Sequence, residues 1–108
     1  MGRDDFFVVT YKILRDLRNQ LKMGEYEPGS FTHEAYDVSK RYWERILEML
    51  QRDGYIEGIV LLPVLGRVEK SVKIVYPQIT TKGLEFLEEN STLNKAKNFL
   101  QDIASIIP

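Results

Sequence analysis

Ser39-Lys40-Arg41-Tyr42-Trp43-Glu44-Arg45-Ile46-Leu47-Glu48-Met49-Leu50-Gln51-Arg52-Asp53-Gly54 is the stretch whose reading decides the fold. At about 100° per residue, Tyr42, Trp43, Ile46, Leu47, Met49 and Leu50 share one broad face, and Lys40, Arg41, Glu44, Arg45, Glu48 and Arg52 share the other. The first face calls for a core, the second for solvent or a partner. Ser39 can accept from the free N–H groups of the first turn, and Asp53-Gly54 supplies a residue able to turn left-handed at the end. A strand opens immediately after, at Tyr55-Ile56.

Upstream, Phe6, Phe7, Val9, Ile13, Leu14, Leu17 and Leu21 predict one apolar face of a long helix from Asp4 to Lys22, closed by Met23-Gly24. Glu25 to Ser30 holds Pro28-Gly29 turn chemistry and reads as a loop. Phe31 to Tyr36 is expected to form a helix of about two turns, with Phe31, Ala35 and Val38 inward, and Asp37-Val38-Ser39 makes the turn into the next helix. Downstream, Tyr55 to Leu62 and Val72 to Tyr76 are β-branched and aromatic and predict two strands, the second ended by Pro77. Residues 63–71 form the long tip between them, and a short third strand is expected to join the hairpin. Thr80 or Thr81 caps a helix from Lys82 to Glu89 that Asn90 stops, and Ser91 or Thr92 caps a last helix. Its stripe of Leu93, Ala96, Leu100, Ile103, Ala104 and Ile107 needs a surface, either the first helix or its counterpart in a second copy.

This order is that of an α+β winged helix-turn-helix with an additional C-terminal helix. A single domain over residues 1–108 is expected, with the helix-turn-helix at about 31–53, the wing at about 55–76 and the C-terminal helices at about 80–107. A chain of 108 residues with 44% hydrophobic content can build one core. The 15 basic and 16 acidic residues give a formal net charge of −1, so there is no global basic field and any hold on nucleic acid must be local. Without cysteine there is no disulfide, thiolate nucleophile or cysteine-bound zinc, the usual state of a cytoplasmic protein. No apolar run is long enough for a signal peptide or a membrane span.

Pro77-Gln78-Ile79-Thr80-Thr81-Lys82-Gly83, then Phe86-Leu87-Glu88-Glu89-Asn90-Ser91, with Asp53-Gly54-Tyr55-Ile56 and Gly58 before them, resembles the YjcQ-like winged helix proteins of Gram-positive bacteria and their phages. The resemblance covers roughly the second two thirds of the chain. It implies a small winged helix with an extra C-terminal helix and a DNA-binding role presumed from the fold. It brings no catalytic residue.

If the Ser39–Gly54 helix reads DNA, the candidate contacts are Lys40, Arg41, Glu44 and Arg45 on its first turns, with Arg67, Lys70 and Lys73 on the wing. Arginine suits guanine because it donates two parallel hydrogen bonds to O6 and N7. Both surfaces are modestly basic, since Glu44 and Glu48 offset the helix and Glu69 the wing, and ordinary solvated faces with pairs such as Lys40 with Glu44 account for them equally well. Glu25, Glu27, Glu34 and Asp37 would repel phosphates if they share that face, which keeps a second reading open, a protein-interaction module that does not bind DNA. Leu65 and Val68 at the tip, and Leu100, Ile103 and Ile107 on the last helix, are the partner candidates, the last three for a homodimer. Trp43, Tyr42 and Tyr55 read as core aromatics rather than a platform for single strands. His33 alone is a poor metal site, and no nucleophile-base pair or phosphate loop is evident, so no cofactor and no enzymatic activity is expected.

Overall fold

The computed structural model describes residues 6–68 and 70–91. They form α1 (Phe6–Met23), single 3-10 turns at Pro28–Ser30 and His33–Tyr36, α2 (Lys40–Arg52), β1 (Ile56–Leu62), β2 (Ser71–Ile79) and a further helix, α3, over residues 81–91. The strands make a two-stranded antiparallel sheet. This α+β order of helix, turn, helix, hairpin and helix is compatible with a winged helix.

α2 forms as its sequence dictates. The Ser39 hydroxyl accepts from the Tyr42 N–H at 3.2 Å, satisfying a donor the first turn cannot use. Gly54, at φ 88, releases the chain into β1. Trp43, Ile46, Leu47 and Leu50 are buried, while Tyr42 and Met49 lie half-buried at the margins. They meet Val9, Ile13, Leu14 and Leu17 of α1, Ile56 and Ile59 of β1, Ile79 of β2 and Leu87 of α3 in one cluster. Removing a side chain such as Leu47 from this cluster would cost roughly 2–5 kcal/mol.

Between α1 and α2 the expected two-turn helix is a single 3-10 turn at His33–Tyr36. The Thr32 side chain makes no cap hydrogen bond, and Ala35 is exposed. Tyr36 takes the inward place instead, stacked on Trp43 at 4.9 Å with Phe31 edge-on to that ring at the same separation. The Tyr36 hydroxyl donates to Asp16 at 2.7 Å. Asp37 then reverses the chain at φ 56, a conformation its short polar side chain tolerates. Two further expectations for α1 are corrected: Phe7 and Leu21 are exposed, because they lie in the first and last turns of the helix, beyond the span from Val9 to Leu17 that the core covers.

β2 does not end at Pro77. Ile56 stands opposite Ile79 and Glu57 opposite Gln78, but Ile59 is opposite Ile74, so Gly58 alone faces Val75-Tyr76-Pro77. Proline, which lacks an N–H to give a ladder, sits in that bulge without cost. Gly58 is required there: its φ is 95, and a Cβ would fall on the Tyr76 carbonyl. The expected third strand is absent among the described residues. Tyr26 lies beside β2 through a stack on Tyr76 at 5.5 Å.

α3 is tied to the α2–β1 corner. Thr80 is its cap: the hydroxyl accepts from the Gly83 N–H at 3.2 Å and donates to the Gly54 carbonyl at 2.5 Å. Lys82 donates to the Asp53 carbonyl at 2.8 Å with its ammonium 4.8 Å from the centre of the Tyr55 ring. Gly83 packs so closely that a Cβ would come within 2.5 Å of the Tyr55 carbonyl. The segments Asp53-Gly54-Tyr55 and Thr80-Thr81-Lys82-Gly83 are thus two halves of one joint. Asn90 does not stop α3; it lies within the helix and donates to the Phe86 carbonyl at 2.8 Å, and Ser91 is helical with its hydroxyl on the Glu88 carbonyl. The expected last helix, and Asp4 and Asp5, lie outside the described residues.

Candidate nucleic-acid interface

The outward side of α2 is fixed by its buried side. Taking the centre of Trp43, Ile46, Leu47 and Leu50, a rotation of about 100° per residue puts Arg41, Arg45, Glu48 and Arg52 nearest the opposite direction. All three arginines are exposed, and Glu48 is half-buried. Lys40 and Glu44 flank this ridge rather than crown it, so Arg52 is a better-placed contact than either. The i, i+4 and i, i+11 spacing from Arg41 already carries that signal.

The ridge is not purely cationic. Arg45 holds Glu48 at 2.9 Å and Arg52 holds Asp53 at 3.3 Å. The expected pairing of Lys40 with Glu44 does not form among the described residues, Glu48 being the acid that is taken up. Exposed pairs of this kind are worth about 0–1 kcal/mol, so either arginine can exchange its carboxylate for a stronger anionic partner.

The acidic residues divide into two groups. Glu34 and Asp37 border an open hollow of about 530 Å³ at the start of α2, with His33, Val38, Ser39 and Tyr42. Glu25 lies elsewhere, in a small crevice with Leu17, Leu21, Tyr76 and Pro77, and Glu27 follows Tyr26 on its stack against Tyr76. Glu34 and Asp37 are thus the two of the four that stand at the head of α2, and Glu25 is away from it. His33 spends Nδ1 on the Val38 carbonyl at 2.9 Å, and among the described residues no group of three metal-ligating side chains comes together.

On the hairpin, Arg67, Lys70 and Lys73 are all exposed. Ile59, Leu61, Val72 and Ile74 turn to the core, which puts Val60 and Leu62 outward with Lys73 and Ser71 opposite them. Leu65 and Val68 stand fully exposed at the tip. Trp43 is core, as expected, and Tyr42 and Tyr55 are half-buried at its margins, Tyr55 with its ring edge-on to Phe86 at 5.7 Å. The partner candidates Leu100, Ile103 and Ile107 lie outside the described residues. Among the described residues no helix is long and apolar enough to cross a membrane.

No curated protein and no solved structure matches the chain. The corner at which Thr80, Lys82 and Gly83 close on Asp53-Gly54-Tyr55 nonetheless lies within a stretch that one family shares, because the model described as YjcQ protein matches residues 11–106, and the chain therefore belongs to the YjcQ family.

Proposed function

We propose that the chain is a small winged helix regulator that binds double-stranded DNA, setting α2 in the major groove and the hairpin against the backbone. The observation that carries this reading is the ridge of Arg41, Arg45 and Arg52 along the side of α2 opposite the core. The ridge runs for about 16 Å along the helix at 1.5 Å per residue, a length the major groove accommodates. Arg41 and Arg45 reach base edges, while Lys40, Arg52 and the hairpin's Arg67, Lys70 and Lys73 meet phosphates. Guanidinium groups stay charged at any working pH and offer paired donors. The regulatory role and the link to phages rest on the family resemblance alone.

Fluorescence anisotropy with a random-sequence duplex at low salt tests the reading. The wild type binds, and Arg41→Ala with Arg45→Ala weakens binding and makes its salt dependence shallower, while leaving the circular dichroism spectrum and unfolding midpoint in place. Equal binding by the double variant would exclude α2 as the reading element.

Glu34 and Asp37 at the head of α2 support a second reading, in which the same fold binds a protein. Carboxylates there suit a basic partner surface and oppose phosphate. That reading predicts no duplex binding at all, and loss of a captured partner when Leu65 or Val68 is made charged.

A further inference from the structure

The tip of the hairpin is built around an apolar point. The Arg67 N–H donates to the Val64 carbonyl at 3.1 Å, closing a four-residue turn, and Gly66 occupies its third position at φ 80, where a type II turn demands a residue free to adopt positive φ. Leu65 is thereby held at the outer corner, with a relative exposure of 102%, and Val68 just beyond the turn is at 97%. Neither packs on the core. Arg67 and Lys70 in the same tip, and Lys73 as the third residue of β2, are exposed, and with Glu69 in the sequence the hairpin end is left at +2 (three basic residues less one acid).

A projecting apolar corner with Arg67 and Lys70 following it in the same tip is complementary to a groove with anionic rails and apolar stacked bases between them. We propose that Leu65 is a wedge that enters the minor groove beside the site of α2 and inserts at a base step, so that binding kinks the duplex. The inference rests on the DNA-binding reading and extends it, from contact with phosphates to deformation of the DNA. The minor groove is about 6 Å wide, too narrow for the ribbon but open to a single turn, and leucine is among the side chains that unstack a step in this way. Arg67 and Lys70 then fall on the flanking phosphates. Pyrimidine–purine steps such as TA yield most readily and are the expected sites of insertion.

The test uses the full chain and a duplex of about 30 base pairs with central TA steps, labelled at its ends for energy transfer, and a second copy carrying 2-aminopurine at one step. The wild type is expected to bend the duplex by roughly 20–90° and to raise the 2-aminopurine fluorescence as the step unstacks. Leu65→Ser is expected to bind with a straight duplex. Binding by the wild type without bending or unstacking, or equal bending by both proteins, would overturn the wedge and leave the α2 reading standing. Absence of binding by both would remove the two together. Capture on phosphatidylglycerol vesicles in place of duplex bending, lost in Leu65→Ser, would also overturn it and assign the tip to a lipid surface. The fluorescence readout needs only the wild type, so a poorly folded variant does not shield the proposal.

Discussion

Gln51 sits on α2 where a reading helix would carry another polar contact, but its amide is spent inward. It donates to the Ile59 carbonyl at 3.0 Å and accepts from the Ile59 N–H at 2.9 Å. A strand residue aims both backbone groups to the same side, so Ile59 points these groups away from β2 and the Gln51 amide stands in for a missing third strand. Gln51→Ala orphans both groups at a half-buried position and is expected to lower stability by about 1–3 kcal/mol, read from urea unfolding. Tyr36 gives a second test. Burial, then its hydrogen bond to Asp16 and the charge of that carboxylate, hold its hydroxyl protonated well above the ordinary phenol range. In the unfolded chain the phenol ionises near pH 10, about its ordinary value. Above that pH the unfolded state releases a proton the native state keeps, so this stabilisation is whole below about pH 10 and is lost as the pH rises further. Urea midpoints measured into the alkaline range are expected to fall more steeply for the wild type than for Tyr36→Phe. Parallel curves would mean that Tyr36 is not the group responsible. Tyr26, which burial also raises, remains in the variant.

The hairpin depends on one element-scale device, the bulge at Gly58. Gly58→Ala meets positive φ, worth about 1–3 kcal/mol, and a collision with the Tyr76 carbonyl besides. The expected result is a lower unfolding midpoint by at least that amount; an unchanged midpoint would contradict the register given for β1 and β2. The same bulge explains what could not be read beforehand. Proline ordinarily ends a strand, and Pro77 is admitted only because Gly58, on the other strand, widens the ladder there. The turn at His33–Tyr36 was equally hidden, since Phe31 and Tyr36 are placed by Trp43, a tertiary partner, and not by a helical period. α2 was legible because cap, period and stop agree within one stretch: Ser39, the Trp43-Ile46-Leu47-Leu50 stripe and Gly54. Of the candidate site, the arginines followed from that period. The separation of Glu25 from Glu34 did not, because it is set by the path of a loop pinned where Tyr26 stacks on Tyr76.

At the scale of the molecule, a net charge of −1 means that long-range attraction does little to concentrate the chain on nucleic acid. Binding has to come from the α2 ridge and the hairpin cations acting together over a short range, and counterion release then sets its salt dependence. The most direct test of the central claim is a titration of a random-sequence duplex by anisotropy over a series of salt concentrations. Binding through α2 and the hairpin predicts measurable affinity at low salt that falls linearly on logarithmic axes, with a slope of about −0.9 for each phosphate neutralised, and a slope shallower by about one such increment in Arg52→Ala. No binding at low salt, or an affinity indifferent to salt, would contradict it.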